Sequence, residues 1–252
     1  MKLNLTVAAL AAGTSLLFAG TAAAEVTVTT GGGGAGYVKM VQALVDAYQS
    51  QTQAKVGTAF GGNIGQMLAQ VREGGKVNLV ISDATSLQKF SNELKELKTG
   101  VKLGDTPLIL AWRKGIVLTG PEDLDKSDVK RVAMPDPKAA VYGRAAKEYL
   151  ASSGLDKKLG DRVNIASTVP QVMSYVVRGE MDAGFVNLVA ARYNKDKIGG
   201  FTAVKDGYKP VLMTAVPVKD LKAQDKADVE AFMVFLASDK ATPILNKFGV
   251  VR

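Results

Sequence analysis

Neither cysteine nor histidine occurs anywhere in the chain. That double absence removes zinc sites built on Cys and His, thiol nucleophiles, Ser-His-Asp triads and histidine proton shuttles. Acid–base chemistry would have to come from carboxylates, lysine or tyrosine, so a binding protein and not an enzyme is expected, with an enzyme that works through carboxylates or lysine as the alternative. Without cysteine there is also no residue to carry a lipoprotein anchor. Aromatic residues are scarce at 6%. The formal charge of +8, from 32 Lys and Arg against 24 Asp and Glu, is therefore spread over scattered basic residues with few stacking platforms among them. This is a solvated surface compatible with an anionic ligand, and no nucleic-acid partner is expected.

Long apolar runs are missing too, except at the start. Lys2 is followed by an apolar stretch from Leu5 to Phe18, and Ala22-Ala23-Ala24 supplies small residues before Glu25. The pattern is that of a cleavable signal peptide over residues 1–24. A membrane anchor would need a longer run than this one, which Gly13, Thr14 and Ser15 interrupt. The expected product is a free periplasmic protein. With 252 residues the chain has material for one large domain or two lobes of about 100 residues each.

Glycine is abundant, and its placement organises the rest. Alternating Val and Thr from Val26 to Thr30 predict a strand; Gly31-Gly32-Gly33-Gly34-Ala35-Gly36 follows, and Val38, Val41, Leu44, Val45 and Tyr48 mark one face of a helix. Lys55 to Phe60 and Gly61-Gly62-Asn63-Ile64-Gly65 repeat the device, with a helix predicted to Glu73. Strand, glycine turn and helix start together expose backbone N–H groups at the positive end of a helix dipole, which favours an anion without any cationic side chain. The plain alternative for each turn is tight strand-to-helix packing with no ligand.

Further strands are expected at Asn78 to Ser82, Val101 to Asp105, Pro107 to Trp112, Ile116 to Leu118, Arg131 to Met134, Arg162 to Ile165, Met181 to Asn187 and Tyr208 to Val218. Helical segments are expected from Asp83 to Glu96, Arg144 to Leu150, Pro170 to Arg178, Val229 to Ala237 and Thr242 to Phe248. Thr168 is the expected N-cap of the helix that carries Pro170 in its first turn. Such alternation predicts an α/β chain of two lobes, each a mostly parallel sheet covered by helices on both faces, joined by two crossing strands that act as a hinge. Lobe I would comprise 25–106 plus 213–252 and lobe II 107–212. Ligands of open parallel sheets lie beyond the carboxyl ends of the strands, so both lobes would present their strand-to-helix turns to a shared cleft.

Gly31, Gly33 and Gly36 satisfy the nominal dinucleotide fingerprint, but that motif needs an acid about 20 residues later to hold the ribose. The second strand and its turn carry no acid, since Asp and Glu are absent from Ala47 through Arg72. The Walker pattern fails as well, because Tyr37 and Val38 stand where Lys and Ser or Thr are required. No cofactor is expected. Asn63 and Asn187 can each donate an amide hydrogen bond or merely cap a turn, Tyr142 can line the cleft or the core, and Arg144 is a cation near a predicted turn.

The order of these landmarks resembles the periplasmic molybdate-binding proteins of ABC importers. The resemblance rests on Val26-Thr27-Val28, Phe60, Asn78-Leu79-Val80-Ile81-Ser82 ahead of Asp83, Leu103-Gly104-Asp105, Asp136-Pro137 before Tyr142-Gly143, Gly184-Phe185-Val186 and Lys247-Phe248-Gly249. It implies a monomeric two-lobed protein that holds a tetrahedral oxyanion, molybdate or tungstate, and delivers it to an inner-membrane ABC permease. The oxyanion's metal would have no direct protein ligand. The family's donors are backbone N–H groups and hydroxyls. The hydroxyl positions fall on Gly33, Asn63 and Asn187, so all three hydroxyls are replaced, while the backbone positions fall on Tyr142 and Val169. Gly32, Gly33, Gly34, Gly62, Asn63, Tyr142, Val169 and Asn187 are accordingly the expected ligand-binding set. The changed donors leave room for a different small anion, such as an organic acid.

Overall fold

The computed structural model describes residues 26–30, 34–60, 66, 68–69, 72–73 and 76–252. The first 25 residues, Gly31, Gly32, Gly33 and residues 61–65 lie outside the described residues, and with them the expected signal peptide, both glycine turns and part of the helix expected to Glu73, of which Gln66, Leu68, Ala69 and Arg72 are helical.

Two five-stranded sheets form the frame. The first contains β1 (Val26–Thr30), β2 (Val56–Thr58), β3 (Leu79–Asp83), β4 (Val101–Thr106) and β10 (Val211–Pro217), in the order β2-β1-β3-β10-β4. The second contains β5 (Leu108–Trp112), β6 (Val132–Pro135), β7 (Val163–Ala166), β8 (Ala183–Asn187) and β9 (Gly200–Ala203), in the order β7-β6-β8-β5-β9. The parallel expectation describes β1 with β2 and β3, and β6 with β7 and β8. The remaining pairings are antiparallel, because β10 and β5 are the return and entry strands that cross between sheets, and both sheets are therefore mixed.

Helices cover the sheets because the buried side chains recur at helical intervals. In α1 (Gly34–Thr52) the core face is Tyr37, Met40, Val41, Leu44, Val45 and Tyr48. Val38 is only half-buried, so the face begins one residue earlier than the aliphatic pattern suggested. Tyr48 meets Phe232 and Phe235 of α7 (Ala223–Ala237), its ring centroid 5.0 and 5.3 Å from theirs. In the second sheet the period of two sends Phe185 toward α3 (Val141–Ser152), 6.0 Å from the Tyr149 ring, and Val186 toward the opposite core with Val172 and Val176 of α5 (Val169–Arg178). Short helices α2 (Ala84–Leu87), α4 (Leu155–Leu159), α6 (Leu188–Tyr193) and α8 (Thr242–Lys247) are also present.

Some sequence expectations change. The helix expected from Asp83 to Glu96 shortens to α2 and one 3₁₀ turn, Gln88–Phe90. Leu87 and Leu94 are its only buried apolar residues, too few anchors to hold a continuous helix. The segment from Ile116 to Leu118 is irregular: Ile116 and Leu118 point inward and Val117 outward, but no neighbouring strand pairs with them.

The chain passes from the first sheet to the second at Pro107 and returns between Ala203 and Val211. The two crossings are braced against each other. Thr106 Oγ1 donates to Val211 O at 3.0 Å, Leu108 N donates to the Tyr208 hydroxyl at 3.0 Å, and that hydroxyl donates to Val204 O at 3.2 Å.

Candidate functional site

Because β6, β7 and β8 run parallel side by side, their carboxyl ends share one sheet edge, and each turns there into a helix. Tyr142, Val169 and Asn187 all sit at those three turns, so the structure brings the expected second-lobe residues to one edge. Asp136 N donates to Ala166 O at 2.7 Å, which ties the turn after β6 to the end of β7.

Each turn leaves a different donor. Helix α3 has no capping side chain, and its first internal acceptor, Ala140 O, takes Arg144 N at 3.0 Å. The N–H groups of Val141, Tyr142 and Gly143 thus lack a capping side chain at the positive end of a three-turn helix. Gly143 sets where that end lies. A Cβ there would run into the carbonyl oxygen of Pro135 and stand 2.6 Å from the carbonyl carbon of Asp136, so only glycine lets the helix start press onto the end of β6. In α5, Thr168 Oγ1 accepts from Gln171 N at 3.3 Å, Thr168 O accepts from Val172 N at 3.1 Å, and Pro170 has no N–H. Val169 is the first-turn residue whose N–H remains for a ligand. Asn187 caps α6 through Oδ1, which accepts from Ala190 N at 2.8 Å. Because a backbone N–H requires the oxygen there, the amide nitrogen Nδ2 is left as a donor on a side chain only 7% exposed.

In the first lobe, Gly34 is the first residue of α1, whereas Gly32, Gly33, Gly62 and Asn63 lie outside the described residues. Sequence reasoning missed Thr30. It is the last residue of β1, and its hydroxyl is, among the described residues, a buried side-chain oxygen with no hydrogen-bond partner. Its one signal was its position immediately before the glycine turn.

The Tyr142 side chain was open between core and cleft, and it lies between the lobes. Its hydroxyl is 2.6 Å from that of Tyr37, in the first turns of α1. Burial pushes Tyr37 up to about 12, and burial followed by the charge of its partner raises Tyr142 well above the ordinary tyrosine value. Both stay neutral and bring no charge to this buried contact. Arg144 is not a free cation. It lies between Asp83, at 3.9 Å across the lobes, and Glu148, at 3.8 Å one turn along its own helix. Asp83, 3% exposed, is engaged with Arg144 and with Ser86 N, which donates to it at 3.0 Å.

A cavity of about 710 Å³ opens from this edge. Val169 and Asn187 belong to its lining, together with Gly36 of α1. Met173 and Val177 of α5, Val189 of α6 and Phe248 form apolar walls, and Lys39, Arg192 and Lys247 also line it. Gly36 closes it on the first-lobe side: a Cβ there would lie 3.2 Å from Val189 Cγ1. Nearby, Arg192 Nη1 donates to Asn246 O at 2.8 Å. Among the described residues no cluster of carboxylates is placed to hold a metal ion.

The family model for bacterial extracellular solute-binding proteins matches residues 28–251. The molybdate-binding protein ModA of Azotobacter vinelandii is 27% identical over 255 residues, covering 99% of this chain and 98% of that protein. The ModA of Rhodobacter capsulatus is 27% identical over 211 residues, 81% of this chain and 80% of its own. A solved structure of the Azotobacter vinelandii periplasmic molybdate-binding protein superposes with a TM-score of 0.70 at 26% identity, covering 90% of this chain and 99% of that one. With both sheets and nearly the whole sequence accounted for, the chain belongs to the bacterial extracellular solute-binding proteins and is ModA-like in fold.

Proposed function

We propose that the protein is the periplasmic solute-binding component of an ABC importer, exported through residues 1–24 as a soluble monomer without a lipid anchor, and that it captures a tetrahedral oxyanion group of the molybdate or tungstate type in the cleft between its lobes. The observation that carries the reading is the single sheet edge at which Tyr142 N–H, Val169 N–H and Asn187 Nδ2 end as donors with no capping duty. A hydrogen bond to a charged group contributes about 1.5–3 kcal/mol, so these three, with N–H groups from the turns at Gly32 to Gly34 and Gly62-Asn63, offset the loss of the family's hydroxyls. The lobes are taken as 25–106 plus 213–252 and 107–212, and closure of one on the other around the anion is what the permease would recognise.

Titration calorimetry on protein purified from the periplasm, unfolded and refolded to strip any carried solute, tests this. One-to-one binding of molybdate or tungstate with weaker sulfate binding is expected. No heat with any of the three would contradict it.

A further inference from the structure

The cavity beside the proposed anion position is far larger than a bare oxyanion. Four oxo groups fill the space of about four waters, roughly 120 Å³ at about 30 Å³ each. The cavity has about 710 Å³, in the range of sites that enclose organic ligands. Its character also changes with distance from the sheet edge. At Val169 and Asn187 it offers neutral N–H donors, whereas along α5 and α6 the lining is mainly apolar, with Met173, Val177, Val189 and Phe248 able to bury hydrocarbon and Ser174, Tyr193 and Asn194 set among them. Of the three cations of the lining, Arg192 is engaged with Asn246 O, Lys247 has its ammonium 5.9 Å from the centre of the Phe248 ring at the same wall, and Lys39 is exposed. They add an attractive field without forming a second anion cradle.

Resting on the anion site proposed above, we infer that the natural solute is a small organic oxyanion: an anionic headgroup held by the N–H donors, carried on an apolar body that lies between α5 and α6. Asn187 supports the headgroup end independently of any helix dipole, since its side chain is more than nine-tenths buried and keeps an unused amide donor at the cavity wall.

The test compares inorganic phosphate with phenyl phosphate by calorimetry, with molybdate as reference, in the refolded protein and in Ser174→Trp, Val177→Trp and Ser174→Ala. Both tryptophans fill the groove from α5 at positions one turn apart, so a folding failure of one leaves the other; the alanine changes chemistry without filling space. Phenyl phosphate should bind at least about tenfold tighter than phosphate in the unmodified protein and in Ser174→Ala, and the difference should vanish in a folded tryptophan variant. Equal affinities in the unmodified protein, or a difference that survives the tryptophans, overturns the inference while molybdate binding leaves the anion site standing. Failure of all three anions to bind overturns the anion site and the inference together.

Discussion

At the scale of single residues the account turns on Asn187. Its Oδ1 caps α6, its Nδ2 has no capping duty and the residue lines the cavity, so one substitution separates capping from donating. Asn187→Asp keeps an N-cap of equal quality but replaces a donor with a carboxylate. The lost hydrogen bond alone corresponds to about a ten- to hundredfold fall in anion affinity, at about 1.4 kcal/mol per factor of ten, and charge repulsion adds to it. The expected outcome is loss of detectable oxyanion binding by calorimetry with an unchanged thermal midpoint. Retained affinity would mean that the amide does not touch the solute. The sequence made Asn187 a candidate because it ends a strand, but the choice between capping and donating was not legible: the side chain does both, and only the position of Ala190 N shows which atom does which. Tyr37 was illegible for a related reason: its hydroxyl pairs with one that the other lobe brings to it, which no local pattern announces.

At the scale of elements, the parallel trio β6, β7 and β8 is what converts three unrelated stretches of sequence into one edge. The strands themselves were readable, because short apolar runs bounded by polar turns predict them, and the caps at Thr168 and Pro170 were readable from residue type. The pairing was less so. Hinge strands β5 and β10 look like any other buried strand in sequence, and their antiparallel direction follows from crossing between sheets. Gly143 ties the element scale to the site. In Gly143→Ala the new methyl meets the carbonyls of Pro135 and Asp136, both main-chain atoms that cannot swing aside. A cost of about 1–3 kcal/mol is expected. At about 2–4 °C per kcal/mol for a chain of this size, the melting midpoint should drop visibly. Anion affinity should fall with it, since the Tyr142 N–H moves away from its place; a variant with unchanged midpoint and affinity would show that the helix start has room to shift.

The whole molecule adds the contact between lobes. The Tyr37–Tyr142 hydroxyl pair and the Asp83–Arg144 pair both join an element of the first sheet to one of the second. Because burial raises both tyrosines, the folded state holds their protons to higher pH than the unfolded chain. The contribution of Tyr37 to stability is complete below pH 10, the ordinary tyrosine value, and is lost as pH rises through about 12; that of Tyr142 is lost likewise, well above pH 10. Ultraviolet titration of the folded protein should show Tyr37 half-ionised at about pH 12 and Tyr142 ionising well above the ordinary tyrosine value. Replacing both with Phe should flatten the alkaline loss of stability measured by denaturant unfolding. A double-mutant cycle over the pair should give a coupling of about 0.5–1.5 kcal/mol, and no coupling would mean the hydroxyls do not bridge.

The central claim, that a negatively charged solute is held by backbone and amide N–H groups at the edge of the second sheet, is tested most directly by nuclear magnetic resonance of the ¹⁵N-labelled protein during titration with molybdate. The account predicts that the Tyr142 and Val169 amides and the Asn187 side-chain amide shift together and saturate at one equivalent. Shifts confined to surface lysines, or at the far end of the sheet with these three signals unmoved, would contradict it.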